Sequence, residues 1–163
     1  GLAGVTARHR YRLAWEDRLP EDRLAHLVRD AARLLTRALA ERLATRGVPF
    51  GHWAFLRVLW VEDGLTQREL AERAGMTEPT TATALAAMDA QGLVRRVQQG
   101  GNRRKSYVYI TEAGRALQPL LVPLAEEVNM VAIAGAPAEQ VAAARALMLR
   151  MVDNLSAEAA ARR

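Results

Sequence analysis

The sequence predicts a mainly α-helical fold carrying one small β-hairpin, and three observations predict it. Half of the 163 residues are apolar while aromatics make up only 5%, a balance rich in Ala and Leu that favours helices. Several stretches repeat apolar residues at three- and four-residue steps, the period of one helical face. Residues 93–110 instead place two β-type segments on either side of a glycine-bearing loop, as a hairpin does.

Composition narrows the chemistry before any motif is read. The chain carries 23 basic and 18 acidic residues, a net charge of +5, which suits a polyanionic partner only if the basic residues fall in the right places. It has no cysteine, which removes disulfides, zinc fingers, iron–sulfur clusters and thiol redox sensors together. No apolar run approaches the ~20 residues that a membrane-spanning helix needs; residues 117–125 are interrupted by Pro119 and Pro123. The chain opens on Gly1 without a charged-then-apolar leader, so a soluble, cytoplasmic protein with no membrane partner is expected.

Residues 1–19 are basic and irregular, with Arg8, His9, Arg10 and Arg12 close together. After Pro20, Leu24, Leu27, Val28, Ala31, Leu34, Leu35, Ala38 and Leu39 mark one face of a long helix, which Gly47 and Pro49 end. A second helix over residues 52–62 is apolar nearly all round, carrying Trp53, Phe55, Leu56, Leu59 and Trp60, so burial between other elements is expected. Asp63-Gly64 makes a turn. Thr66-Gln67-Arg68-Glu69 then forms a capping box, with Leu70, Ala71 and Ala74 as the apolar face of a short helix. Gly75 breaks the chain, Thr77 caps a further helix with Pro79 in its first turn, and Gly92 stops it. Two short helices joined by a glycine-containing turn make a helix-turn-helix. The hairpin strands are residues 93–97 and 106–110. Thr111-Glu112 caps a long helix expected to reach residue 133, kinked by Pro119 and Pro123. After Gly135-Ala136-Pro137 a final helix covers residues 138–155.

A helix-turn-helix followed by a basic hairpin is a winged helix-turn-helix; the first helix and the last two have apolar faces too large for a monomer of this size to bury alone, so N- and C-terminal dimerisation helices are expected. The organisation expected is a basic extension at 1–19, a DNA-binding lobe at 50–114, and a helical dimerisation region at 20–48 and 115–160. The second helix of the pair must fit a major groove about 12 Å wide, so its outward residues must be small or polar. Thr77, Pro79, Thr80, Thr83 and several alanines satisfy that and suit thymine methyl groups and phosphates better than a bidentate Arg–guanine contact. Asn102, Arg103, Arg104 and Lys105 at the hairpin tip can reach phosphates or a narrow minor groove. Thr66 and Gln67, at the start of the first short helix, complete the candidate DNA-binding set. A Thr- and Ala-rich helix is often a plain surface helix, and basic hairpin tips are often solvated. The two signals become specific only together, in this order and spacing.

The run over residues 65–114, LTQRELAERAGMTEPTTATALAAMDAQGLVRRVQQGGNRRKSYVYITEAG, resembles the core of the MarR (multiple antibiotic resistance regulator) family. The matching elements are Leu65-Thr66, Leu70-Ala71, the helix end from Met88 to Gly92, Gly92-Leu93-Val94-x-Arg96, and Ile110-Thr111-Glu112-x-Gly114. With the flanking helices the resemblance extends over nearly the whole chain from about residue 20. It implies a homodimer joined by the first and last helices, binding double-stranded DNA. It further implies a repressor, less often an activator, whose DNA affinity a small molecule alters. Two departures stand out. Asn102 and Arg104 replace the family's Asp-x-Arg in the wing, and Ala82 and Thr83 occupy recognition-helix positions that often carry Arg or Ser.

The second helix offers the candidate effector site. Trp53, Leu56, Arg57 and Trp60 lie on one stripe by spacing, and a cation between two indoles on a buried helix must be paired, stacked or open to an anion. An ion pair with a neighbouring helix, or a side chain snorkelling at the dimer seam, reads the same residues structurally. The resemblance implies effectors lodged between this helix, the first and the fifth, which adds His26 and His52 as polar partners for a small aromatic anion. Catalysis finds no support. The histidines are His9, His26 and His52, without metal-ligand spacing, and there is no P-loop, dinucleotide fingerprint or nucleophile elbow. No enzyme, cofactor or metal is expected. A constitutive architectural DNA binder without effector, and a winged helix used as a protein-interaction module, are the competing readings.

Overall fold

The computed structural model describes residues 20–100 and 105–163, with side chains in the first segment from residue 24 onward. The basic extension at 1–19 and the tip residues Asn102, Arg103 and Arg104 lie outside the described residues. The chain divides into two compact units, the first ending at Ala125 and the second Glu126–Arg163.

In the first unit, α1 (Pro20–Ala44) opens on proline, whose missing N–H is no loss in a first turn. It closes where the Val48 N–H reaches back to the Leu43 carbonyl at 3.1 Å, with both side chains buried. α2 (Phe50–Val61) is nearly encircled by core, burying His52, Trp53, Ala54, Phe55, Leu56 and Leu59. Its C-terminal end leads to β1 (Leu65–Thr66) and then to α3 (Gln67–Ala74) and α4 (Glu78–Ala90). Gly75, at φ +66°, turns the chain between α3 and α4 in a conformation that side chains with a Cβ disfavour, while Met76 N–H bonds the Ala71 carbonyl. Gly92, at φ +74°, ends α4 in the same way, and Leu93 N–H reaches the Met88 carbonyl.

The hairpin strands β2 (Val94–Gln99) and β3 (Lys105–Ile110) pair antiparallel from Val94↔Ile110 to Gln99↔Lys105, so each runs further toward the tip than the sequence pattern indicates. The sheet also has a third strand that the sequence does not announce. β1 pairs antiparallel with β3, Leu65 facing Val108, giving the order β1-β3-β2. Phe55, Leu56 and Leu59 from α2, Leu70 from α3, Leu85 and Met88 from α4, and Val94 and Val108 from the sheet are buried together. This is a mainly helical fold with a small antiparallel sheet, a winged helix-turn-helix.

The long helix expected after Thr111 is two helices. α5 (Glu112–Ala116) ends at Leu117, and α6 (Gln118–Ala132) begins there. The break lies where Pro119, lacking an N–H, would otherwise clash with the carbonyl of residue 115; as second residue of a new helix it fits. Pro123 sits inside α6. The unit boundary falls within α6. In the second unit, α7 (Ala138–Ala161) runs six residues past the expected end at Leu155, and none of its residues is buried.

Candidate nucleic-acid interface

α4 separates its residues by face. Thr81, Leu85 and Met88 are buried, while Pro79, Thr80, Thr83 and Ala86 are exposed. Nothing bulkier than a proline or threonine stands on the outward side between residues 79 and 86. The threonines owe their places to local hydrogen bonding. Thr77 caps the helix by accepting from Thr80 N–H at 3.2 Å, and its own hydroxyl donates to Thr80 Oγ1 at 2.9 Å. Buried Thr81 donates to the Thr77 carbonyl at 2.8 Å, which satisfies a hydroxyl otherwise stranded in the core. Thr83 donates to the Pro79 carbonyl at 3.1 Å.

The start of α3, the start of α4 and β3 border an open cleft of about 600 Å³ lined by Thr66, Gln67, Arg68, Glu69, Glu78, Lys105 and Ser106. Thr66 serves structure here. Its hydroxyl donates to Glu69 Oε1 at 2.8 Å and accepts from Glu69 N–H at 3.1 Å, while its N–H donates to the same carboxylate at 3.2 Å. The Thr66 hydroxyl and backbone bonds, with Arg73 and Lys105 nearby, hold the Glu69 carboxyl below its ordinary range. Gln67 is half-buried and Lys105 exposed at the edge of the cleft.

The hairpin is fixed to the lobe at its root. Arg96 pairs with Asp89 of α4 at 3.1 Å, and the Arg95 guanidinium lies 5.8 Å from the Tyr109 ring centre. Asp63, read from the sequence only as part of a turn, does more. One carboxylate oxygen accepts from Ile110 N–H at 2.8 Å, and the other pairs with Arg115 at 3.2 Å. Thr111 caps α5 by accepting from Gly114 N–H, and its hydroxyl faces the Gly92 and Leu93 carbonyls at 2.6 and 2.9 Å. Gly114 has no room for a Cβ, which would meet the Leu93 carbonyl oxygen and lie 2.7 Å from Ile110 Cγ1. This junction sets the direction in which the wing leaves the lobe. The Ile110-Thr111-Glu112-x-Gly114 motif was its sequence signal; the part played by Asp63 had none beyond its place before Gly64.

The candidate effector residues are distributed differently from their spacing. Trp53 and Trp60 do meet, edge to face, with ring centres 5.7 Å apart. The Trp60 indole N–H donates to the Gly114 carbonyl at 3.0 Å and so belongs to the wing junction. Arg57 is not held between the indoles: it is exposed, and it makes no ion pair or hydrogen bond among the described residues. The buried arc of α2 is centred on Leu56 and Leu59, which leaves Arg57 and Val61 facing outward. His26, half-buried on α1, lies 3.1 Å by its Nδ1 from Arg29. His52 is buried, its Nδ1 finds no hydrogen-bond partner among the described residues, and burial lowers its basicity below the ordinary imidazole value.

A slim exposed helix beside a rooted hairpin defines a winged helix of the kind that docks on nucleic acid. Residues 46–105 match the model of the MarR family. HTH-type transcriptional regulator TtmR of Methylorubrum extorquens (strain PA1) is 30% identical over 98 residues, covering 60% of this chain and 50% of that protein; the match therefore spans about half the length of that relative. The crystal structure of transcriptional regulator PA3341 superposes with a TM-score of 0.72 at 29% identity, over 82% of this chain and 98% of that one. A MarR family transcriptional regulator from Listeria monocytogenes, crystallised with a 26mer DNA, has the same fold at 19% identity, with a TM-score of 0.74 over 82% and 89% of the two chains. In its winged helix-turn-helix segment the chain is thus similar to MarR-family transcriptional regulators. Among the described residues no helix is long and apolar enough to cross a membrane.

Proposed function

We propose that the chain is a sequence-specific DNA-binding transcriptional regulator, a repressor with no enzymatic role. It works as a homodimer on a pseudo-palindromic operator and is released by a small aromatic anion. The observation that carries the reading is the outward face of α4, where Pro79, Thr80 and Thr83 stand exposed with no bulky side chain to keep the helix out of a major groove. Lys105, exposed at the edge of the wing, begins the cationic stretch that would follow the adjoining phosphates or minor groove together with Asn102, Arg103 and Arg104. Support for a homodimer is the exposed apolar surface: Leu24, Leu27 and Leu34 on α1 and, separately, Leu149, Val152 and Leu155 on α7. Support for an effector is the conjunction on α2 of buried, unsatisfied His52 with an outward Arg57 that has no ion-pair partner among the described residues. A guanidinium in that state can grip a carboxylate bidentately.

Selection from a randomised duplex library tests the reading. The enriched sites should be pseudo-palindromes with half-site centres about one helical turn apart. Arg104→Ala should weaken binding to them strongly, and benzoate-like acids should release the wild type while leaving Arg57→Ala on its DNA. A library that yields no enriched duplex defeats the proposal.

A further inference from the structure

Thr80 and Thr83 stand on the same exposed face of α4, but their hydroxyls have opposite polarity. A carbonyl oxygen can only accept, so the Thr83 hydroxyl, 3.1 Å from the Pro79 carbonyl, has its one proton engaged. What Thr83 shows to the outside is a methyl group and oxygen lone pairs. Thr80 accepts from the Thr77 hydroxyl at 2.9 Å, which leaves its own proton to give. Nothing else on the helix supplies a donor to a base edge: α4 contains no Arg, Lys, His, Asn or Gln, and Glu78 at its start brings a carboxylate, an acceptor.

The major groove distinguishes bases by what they demand. Guanine presents N7 and O6, both acceptors, and requires a donor; thymine presents its C5-methyl group; adenine and cytosine present amino donors. Thr83 has nothing to offer guanine and fits the thymine methyl, with its oxygen open to an amino group. Thr80 lies in the first turn of α4, where backbone N–H groups favour a phosphate, and its free proton suits an oxygen that only accepts. We infer that Thr83 determines the sequence specificity of α4 by reading the thymine methyl group, and that Thr80 is a phosphate anchor indifferent to sequence. This rests on the proposed docking of α4 in the major groove.

The test uses the full chain and the duplexes it enriches from a randomised library. These are resynthesised with deoxyuridine for thymidine, which deletes the methyl group and keeps base pairing, or with 7-deazaguanine, which deletes the N7 acceptor. Deoxyuridine should weaken binding about fourfold for each thymine in contact, the worth of one buried methyl, and 7-deazaguanine should leave it unchanged. Thr83→Ser, which loses the methyl and keeps the hydroxyl, should bind both pools alike, while Thr83→Val should keep the preference for thymine. Thr80→Val should weaken every duplex by the same factor. Equal affinity of the wild type for thymine and deoxyuridine pools overturns the inference while the DNA-binding reading stands. So does a loss on 7-deazaguanine that Thr80→Val abolishes. If no duplex is enriched, the docking reading fails and the inference with it.

Discussion

In the winged-helix lobe, Leu70, Leu85, Met88 and Val108 are completely buried, whereas beyond Glu126 the side chains of Met130, Val152 and Leu155 are 71%, 60% and 62% exposed. The two regions use similar apolar residues. The lobe draws them from three helices and a sheet, so every strand and helix finds a partner surface. α7 is a regular 24-residue helix in which no residue is buried. Helical periodicity thus forms the same secondary structure in both regions, but among the described residues the lobe closes a core around its apolar side chains and α7 buries none of its own. Long unpartnered faces of this kind mark surfaces that associate.

The sharpest way to break the lobe is at its tightest point. Gly114→Ala would drive a methyl group against the Leu93 carbonyl oxygen, a backbone atom that cannot rotate aside. It should cost about 3 kcal/mol or more, measured by denaturant unfolding. Paired truncations sharpen the contrast between the regions. Leu85→Ala should destabilise the lobe by about 3 kcal/mol through the cavity left in a closed core. Leu155→Ser should leave hydrogen-exchange protection in the lobe within about 0.5 kcal/mol of the parent, and should lower the mass seen by light scattering at micromolar concentration. A fall in lobe protection as large as that of Leu85→Ala would refute the distinction between the two regions.

The smallest effect is expected from His52, whose buried Nδ1 is the exception to a well-satisfied lobe. Burial lowers the folded-state basicity of this imidazole below its ordinary 6.5, so the unfolded chain takes up the proton first. The contribution of His52 is therefore neutral above that pH. Stability falls as the pH drops below 6.5, until the folded protein itself is protonated. Urea midpoints measured from pH about 7 to about 5 should decline in the wild type and decline less in His52→Leu. Identical slopes in the two proteins would remove His52 as the cause. Glu69, held low by Thr66, acts in a separate window: its contribution is present above the ordinary carboxylate range and is lost as the pH falls through and below it.

The parts of the fold legible from sequence are those set by neighbours a few residues apart. Thr66 with Glu69, Thr77 with Thr80 and Pro79, and glycines 75 and 92 each complete a cap within one or two turns, so the bounds of α3 and α4 follow from short-range chemistry. The pairing of β1 with β3 joins residues over forty positions apart, and a two-residue strand is too short to show alternation. The stripe of Trp53, Arg57 and Trp60 was legible as spacing, but spacing does not say which arc of a helix faces the core. The packing of Leu56 and Leu59 decided that, and it left Arg57 outside. Asp63 joins a turn, a strand end and an arginine on α5, a three-way contact that only the assembled lobe creates.

The division of α4 into two faces has a consequence for how such a protein changes over generations. Thr81, Leu85 and Met88 answer to the core, while Pro79, Thr80, Thr83 and Ala86 make no demand on it. Substitutions at Thr83 and Ala86, which lie outside the cap that Thr77 forms with Thr80, leave folding nearly untouched, since exposed positions outside caps seldom shift stability by more than about 0.5 kcal/mol. A duplicated copy of the gene can therefore drift at residues such as Thr83 and acquire a different target sequence without passing through an unfolded ancestor.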